Sequence, residues 1–277
     1  MIREFTLTNA SGITWSLNRP NYCFLNEPQG LGFAVDGTYN RLGNRWVSAE
    51  ELPRQMEISG EVIFTDSSPY VAYKAFGRFL TDAPLKLTYE TDAGIFYRDI
   101  AMGSLSKTEI KEGFLLRCQL SLICTSLWYG STFAQQLGEP AVLCQTDWDQ
   151  LTDANGNHLI TTEPNWSVLN DGDVDAPFIL TLNGLVSSPT MTITDSDGNT
   201  VSITIPATIG ASDTLLYSSI DGDLYCMVED SGGTDTNIVP FFAVNATIFA
   251  KVPVGLSTIN IAGSNVQLQF RKEFLAV

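Results

Sequence analysis

Short segments in which every second residue is apolar recur along most of this chain, and they constrain it to a fold built from β-strands. In the clearest segment, residues 114–124, the apolar residues Leu116, Cys118 and Leu120 alternate with polar ones. Strict alternation gives a strand one apolar face for a core and one polar face for solvent. Similar runs occur at residues 56–64, 85–89, 178–182 and 201–205. The sequence therefore predicts a mainly β fold class.

One segment of the first half has helical spacing instead. Its apolar residues recur at i, i+3, i+4, i+7 and i+8, and they are Ala72, Ala75, Phe76, Phe79 and Leu80. Ser67 or Ser68 precedes this stripe as a candidate N-cap, and Pro69 occupies a first-turn position where proline is tolerated. The pattern predicts a single helix whose apolar stripe packs on a sheet.

Charge is distributed unevenly and indicates two domains. Residues 1–138 hold 12 basic and 14 acidic residues, a net charge of −2, whereas residues 139–277 hold 3 and 17, a net charge of −14. Such asymmetry suggests two surfaces of different character, although an acidic face that only maintains solubility is the simpler interpretation. We place the boundary near residues 130–140. The second half contains only short strands separated by turns, which is typical of a sandwich or jelly roll.

The sequence shows no pattern for a catalytic or metal site. His158 is the single histidine and no Gly-x-Ser-x-Gly motif is present, which excludes two-histidine zinc sites and disfavours a serine hydrolase. The five cysteines lack Cys-x-x-Cys spacing and indicate buried, reduced thiols. We therefore expect no enzymatic activity, no metal and no cofactor.

Two oxygen-rich segments are better interpreted as turns than as calcium sites. Residues 195–199 start like an EF-hand loop, but position 6 is Thr200 and position 12 is Pro206. A surface calcium site at residues 170–175 is the less favoured alternative to a solvated loop.

The net charge also disfavours two classes of partner. With 15 Lys and Arg against 31 Asp and Glu, the chain carries −16, a poor match for nucleic acid phosphates and anionic membranes. No run of about 18 apolar residues predicts a membrane span, and the first residues do not form a secretory signal.

The order of these elements resembles one known family. Residues 5–17 and 28–33, the strand at 56–64, the helix, the hairpin at 85–100 and the following strand look like the N-terminal domain of siphophage distal tail proteins. The turn at 197–199, the strand at 213–218 and residues 254–271 are similar to the galectin-like β-sandwich that members of this family commonly add.

The resemblance implies a structural role in the bacteriophage virion. It implies a β-barrel or sandwich-like ring domain over residues 1–133 and a galectin-like sandwich of the jelly-roll class, projecting outward, over residues 134–277. Such proteins form a ring, usually a hexamer, at the tail tip. The ring joins the tail tube to the tail-associated hub or baseplate, can hold a receptor-binding protein, and is assembled in the host cytoplasm.

DNA crosses such a ring during ejection, so we expect a lumen that is neutral or acidic, through which DNA passes without specific binding. Glu61, Glu90 and Asp92 are candidate lumen residues.

The segment from Asp36 to Trp46 shows no clean period and contains two arginines and two aromatic residues. Because arginine and tryptophan are enriched at interface hot spots, we expect an extended arm or loop that contacts another subunit or the tube. The candidate interface residues are Tyr39, Arg41, Arg45 and Trp46.

The alternative function is a carbohydrate-binding module that attaches to host cell-surface glycans. Galectin-type recognition would use a cluster of His, Asn, Arg and Trp, but the second half has no arginine before Arg271 and only Trp148 and Trp166. A hydrolase built on the sandwich is a third hypothesis, which the missing histidine pair disfavours.

Overall fold

The chain divides into two compact units. The computed structural model describes residues 3–19, 22–42, 44–65, 67–108, 115–138, 165–261 and 265–277. The first unit comprises residues 1–131 and 273–277, and the second comprises residues 132–272. The last five residues therefore group with the first unit, whereas the sequence-based boundary placed them in the second domain. Phe274 explains this grouping, because its ring packs edge-on against Phe96 of the first unit, with centroids 5.4 Å apart.

The first unit contains eleven strands and one α-helix among its described residues. The strands are β1 (Arg3–Thr8), β2 (Thr14–Ser16), β3 (Asn18–Arg19), β4 (Cys23–Gln29), β5 (Val35–Leu42), β6 (Arg45–Pro53), β7 (Glu57–Phe64), β8 (Leu85–Thr91), β9 (Gly94–Lys107), β10 (Leu116–Cys124) and β11 (Trp128–Gly138). The helix α1 (Pro69–Leu80) connects β7 to β8, and β11 continues past residue 131 into the second unit.

The strands of the first unit pair antiparallel in the order β2-β1-β8-β9-β10-β7-β4-β3. The first and last members of this order also come together. The Leu17 N–H donates to the Phe5 carbonyl (2.9 Å), and the Leu25 N–H donates to the Leu17 carbonyl (2.9 Å). The β2–β3 segment thus bridges β1 and β4, so the sheet curls around a single core.

Helix α1 confirms the predicted helix, and it covers this core with four of the five residues of the predicted stripe, Ala72, Phe76, Phe79 and Leu80. The fifth, Ala75, is exposed. Phe76 is fully buried, and its ring packs against Trp15, Phe64 and Phe79 at centroid distances of 5.1, 5.8 and 6.2 Å. Ser68 stands at the N-cap position without a side-chain capping bond, and Pro69 begins the helix.

The second unit is a mainly β structure with two principal sheets. Its strands are β12 (Asn165–Asn170), β13 (Phe178–Asn183), β14 (Val186–Ser187), β15 (Thr190–Thr194), β16 (Thr200–Thr204), β17 (Thr208–Ile209), β18 (Thr214–Ile220), β19 (Asp223–Glu229), β20 (Asp235–Asn237), β21 (Gly255–Ile261) and β22 (Asn265–Phe274). A 3₁₀ turn spans Val239–Phe241.

One sheet has the order β20-β19-β18-β13-β22 and the other the order β12-β21-β15-β16, while β14 and β17 form a short separate pair. A single apolar core is lined by both sheets. It includes Leu180 and Tyr217 from the first sheet and Met191 and Ile259 from the second. Two sheets that share one core in this way form a β-sandwich.

The thiols that the structure describes behave as apolar core residues. Cys23, Cys118, Cys124 and Cys226 are buried and unpaired. Burial raises the pKa of Cys118 to about 11 and that of Cys226 to about 12, so both stay protonated at neutral pH. Cys144 and His158 lie outside the described residues. Among the helices that the structure describes, none is long and apolar enough to cross a membrane.

Candidate interaction surfaces

Strands β5 and β6 form a hairpin that is a separate two-stranded sheet, here called the arm. All eight residues of β5 are exposed, including Tyr39 at 52% and Leu42 at 74% of their accessible surface. A two-stranded hairpin with no core of its own is only marginally stable in water. The arm is therefore a surface that gains stability when another molecule covers it.

The pairing register of β5 and β6 gives the positions of the four candidate interface residues in the arm. Tyr39 pairs with Ser48, Arg41 with Trp46, and Leu42 with Arg45, and a register shift lies between Thr38 and Tyr39. Tyr39 and Arg41 are two residues apart on one strand, so they share a face. Arg45 pairs with Leu42 and belongs to the opposite face, and Trp46 occupies the position opposite Arg41. All four therefore lie in the half of the arm that ends in the turn.

The Tyr39 ring lies over Gly37 on the same face of β5. A Cβ at residue 37 would lie only 2.7 Å from the Tyr39 hydroxyl oxygen and 2.8 Å from two ring carbons. The absence of a side chain at Gly37 thus permits the position of the ring. Half of the Tyr39 surface stays exposed and is available for contact.

Charge is segregated along the arm. Arg41 and Arg45 lie beside the turn, while Asp36, Glu50 and Glu51 lie toward the base, where Gly37 pairs with Glu51 and Thr38 with Glu50. Basic positions of the arm therefore lie beside its turn, and acidic positions lie toward its base.

The base of the arm is attached to the core of the first unit by close backbone contacts. Gly30 has φ +81°, and a Cβ there would lie 1.9 Å from the Glu57 carbonyl oxygen. The indole N–H of the buried Trp128 donates to the Leu31 carbonyl (3.3 Å). These contacts hold the chain where it leaves β4 for the arm.

The three candidate lumen residues lie at two separate places. Glu90 is near the end of β8 and Asp92 is in the following turn, whereas Glu61 lies on β7, and β9 and β10 stand between β8 and β7. Glu61 also pairs with Arg117, with Oε2 and Nη1 3.2 Å apart. The charge of Glu61 is therefore partly compensated.

The oxygen-rich loops of the second unit have local partners. Asp195 Oδ2 accepts from Asn199 Nδ2 (2.8 Å), and Asp195 Oδ1 accepts from the N–H groups of Asp197 (2.9 Å) and Asn199 (2.8 Å). The side-chain bond from Asn199, followed by the backbone bonds, lowers the pKa of Asp195 below its usual range. Lys272 pairs with Asp171 at 2.6 Å. No group of three or more His, Cys, Asp or Glu residues that could hold a metal occurs in the part of the chain that the structure describes.

Sequence reasoning missed the apolar residues around the arm. Phe33 and Val35 precede Tyr39 and are 53% and 43% exposed. The sequence signal for these residues was the position of Phe33 and Val35 directly after the glycine-rich turn at residues 30–32. In the structure, the next apolar residues, Tyr39 and Leu42, are exposed as well.

Comparison with known families decides the class of the first unit. Residues 4–125 match the family model for the N-terminal domain of the distal tail protein. This part of the chain is a distal tail protein domain. The match covers β1–β10, α1 and the arm, and it confirms the resemblance drawn from the order of the elements. A phage distal tail protein is a structural component of the tail tip, and the match assigns residues 4–125 to this class of protein.

The fold of the whole chain is shared with solved phage proteins. Over 98% of this chain and 99% of the other, it resembles the crystal structure of the Dit protein of phage SPP1, with 13% identity and a TM-score of 0.68. It also resembles a chain of the phage P2 baseplate in its activated conformation with calcium, over 100% of both chains, with 15% identity and a TM-score of 0.59. These likenesses extend the distal tail fold to the second unit. No curated protein sequence matches the chain.

Proposed function

We propose that this distal tail protein forms a closed ring, a hexamer, in which the first unit makes the contacts between subunits and stacks on the tail tube. The observation that carries the proposal is the arm, a separate two-stranded hairpin whose strand β5 is exposed along its whole length. A ring requires a heterologous contact between two different patches of the same chain. The arm, with its basic tip and apolar exposed residues, supplies one of these patches.

The distribution of charge supports this arrangement. The nearly neutral half, residues 1–138 with a net charge of −2, packs against copies of itself without strong repulsion. The half of net charge −14 stands outward, where distance and salt screen the repulsion between copies.

The proposed partners follow from the same arrangement. The ring joins the tail tube to the tail-associated hub protein, and its outward sandwiches are available to a receptor-binding protein. SPP1 Dit, the neighbour of similar fold, is described as a hub of the adsorption apparatus of phages that infect Gram-positive bacteria. DNA passes the lumen without specific binding, and the ring is assembled in the host cytoplasm before it enters the virion. The proposal gives the chain no catalytic role.

The test is the mass of the purified protein in solution, measured by light scattering over a range of concentration and salt. A ring of six copies of the 30.3-kDa chain has a mass of about 182 kDa. The wild-type protein is expected to form this species, alone or when the tail tube protein is added. A salt-insensitive monomer under both conditions would contradict the ring and favour the carbohydrate-binding alternative, which a glycan array would then examine.

The arm variants make the test specific. The double variant Tyr39→Ala/Arg45→Ala is expected to shift the ring to monomer by about tenfold in dissociation constant, because it removes an exposed aromatic and a tip charge. Val244→Ala, on an almost fully exposed apolar residue of the second unit, is the control and should assemble normally. Unchanged rings in the arm variant would exclude the arm as the subunit contact.

A further inference from the structure

Strand β16 (Thr200–Thr204) is the outer strand of the sheet β12-β21-β15-β16, and no strand among the described residues pairs with its free edge. Four of its five residues are exposed. An exposed edge carries unpaired N–H and C=O groups in a row and is a template for another strand.

The hydrogen bonds that flank β16 show which backbone groups face outward. The Ile205 N–H donates to the Pro189 carbonyl (2.9 Å), and the Asp195 N–H donates to the Asn199 carbonyl (3.0 Å). In an antiparallel pair, bonded and non-bonded positions alternate. Residues 201 and 203 therefore bond to β15, and the N–H and C=O groups of Thr200, Ser202 and Thr204 point to the free edge.

The hydroxyl contacts across the pair agree with this alternation. Thr190 and Thr204 are joined through their Oγ atoms at 2.9 Å, and Thr192–Ser202 and Thr194–Thr200 are joined at 3.2 Å. Side chains approach closely at non-bonded positions. These contacts also keep β16 straight and in register with β15.

Natural sheets protect free edges with lysine, proline or a bulge. β16 (TVSIT) has no charged residue and no proline, and its pairing with β15 shows no register shift. The other three strands of this sheet, with the sequences NWSVLN, TMTIT and GLSTINI, have no charged residue either. The half of the chain with a net charge of −14 thus contains a sheet whose strands have no charged residue. Depletion of charged residues is typical of the core of a protein interface.

The charge at one end of the edge indicates the occupant. Asp195 and Asp197 lie in the turn that leads into β16, and the pKa of Asp195 is held below its usual range, so this carboxylate stays ionised. A second copy paired parallel to β16 would bring two identical acidic turns together, and an antiparallel copy would place its residues 204–208, which include no lysine or arginine, beside the turn. The chain's own residues 139–164 carry five acidic residues and no lysine or arginine, so they are disfavoured for the same reason.

We propose that β16 is a strand-addition site, which binds an extended segment of a partner tail protein with a lysine or arginine beside the Asp195–Asn199 turn. The backbone groups of Thr200, Ser202 and Thr204 pair with this segment, and the turn attracts its basic residue. The site rests on the proposed function, since the partner is another component of the phage tail.

Amide hydrogen exchange tests the site, with purified tails and the isolated protein as the two samples. In the isolated protein the amides of Thr200, Ser202 and Thr204 should exchange rapidly, and in tails about tenfold or more slowly. The amides of Val201 and Ile203, already bonded to β15, should change little. Equal exchange in the two samples would overturn the proposal, and so would slow exchange in the isolated protein, which would show that residues 139–164 cover the edge.

Two substitutions at one residue separate strand addition from other contacts. Ser202→Pro removes an N–H that faces the free edge and no bond to β15, and it should release the partner from purified tails, as measured by mass spectrometry. Ser202→Ala keeps the N–H and should retain the partner. Asp197→Asn should make partner binding weaker and less salt-dependent. Retention of the partner in Ser202→Pro tails would exclude strand addition.

The remaining outcomes are also decisive. Absence of this chain from tails would refute the proposed function itself, whereas its presence with an unprotected edge would refute only strand addition. Protection of the edge amides by a host-glycan extract, without other tail proteins, would overturn the proposal in favour of a saccharide on the hydroxyl face of the sheet.

Discussion

Gly30 stands at a position that accepts no side chain. Its φ of +81° lies in the left-handed region, and the Glu57 carbonyl oxygen occupies the place of a Cβ. Both features occur where the chain leaves β4 and lies close beside the first residues of β7. Gly32, two residues later, has open space around the position of its Cβ.

The Gly30→Ala variant is expected to lower the free energy of unfolding by about 2 kcal/mol or more, because it adds both a strained φ and a steric clash. Gly32→Ala is the matched control and should change stability by less than about 0.5 kcal/mol. Urea denaturation of the two variants measures the difference. Equal stabilities of the two variants would show that the backbone after β4 adjusts to an alanine at residue 30 without a cost in free energy.

Asp195 links stability to pH through the turn between β15 and β16. Its carboxylate accepts two backbone N–H bonds and one from Asn199 Nδ2, and its pKa is lowered in the folded protein. A lowered pKa means that the carboxylate stabilises the fold above its unfolded pKa. This contribution is lost as the pH falls through the folded pKa.

The Asp195→Ala variant should therefore have a lower melting temperature than the wild type at pH 7, and the gap should close as the pH falls below about 4. Thermal unfolding at a series of pH values measures both curves. Asp197→Ala, which removes a neighbouring carboxylate, is the control. Parallel curves for wild type and Asp195→Ala would contradict the linkage.

The buried environment of Arg98 could not be predicted from sequence. Arg98 is 3% exposed, and its guanidinium donates through Nε to the Ser126 carbonyl (2.9 Å) and lies 5.1 Å from the centre of the Trp128 ring. In the sequence it stands in an alternating strand, where a charged residue indicates the solvent face. Arg98 is covered by the segment after β10, where the Thr125 N–H donates to the Asp99 carbonyl (2.9 Å) and Ser126 accepts from Arg98. Sequence periodicity contains no information about this contact.

At the scale of elements, periodicity predicted those elements that have one face on a core. Helix α1 and strands β7, β8 and β10 show it clearly because their apolar residues are buried. The arm showed no period because β5 is exposed on both faces. A strand without a buried face leaves no alternation in the sequence, so its extended structure was expected but its pairing was not.

The Phe76→Ala variant tests the packing of α1. The ring is fully buried among three aromatic neighbours, so its loss should cost about 3–5 kcal/mol in the free energy of unfolding. Val71→Ala, at a residue of the same helix that is 69% exposed, should cost less than about 0.5 kcal/mol. Chemical denaturation followed by tryptophan fluorescence reports both. A small loss for Phe76→Ala would mean that the core refills the cavity.

At the scale of the whole molecule, each unit has its own core, and the C-terminal residues belong to the first. Phe274, the last residue of β22, and Val277 pack against that core although β22 begins in the second unit. The charge asymmetry suggested two domains, but no local pattern at residues 273–277 could show which core receives them.

Deletion of residues 273–277 should therefore destabilise the first unit selectively, by about 2 kcal/mol for the lost apolar contacts. Amide exchange should accelerate in β1 and β8 and stay unchanged in β13 and β18, which serve as the internal control. Equal acceleration in both units would contradict the assignment of these residues to the first core.

The chain leaves the first unit after residue 131 and returns to it at residue 273, so the second unit is inserted into the first and joined to it by two covalent crossings. A mechanical load applied to the second unit is therefore shared between two backbone connections. The same topology makes the second unit an exchangeable cassette. A different module can replace residues 132–272, with both ends of the new module covalently joined to the folded first unit.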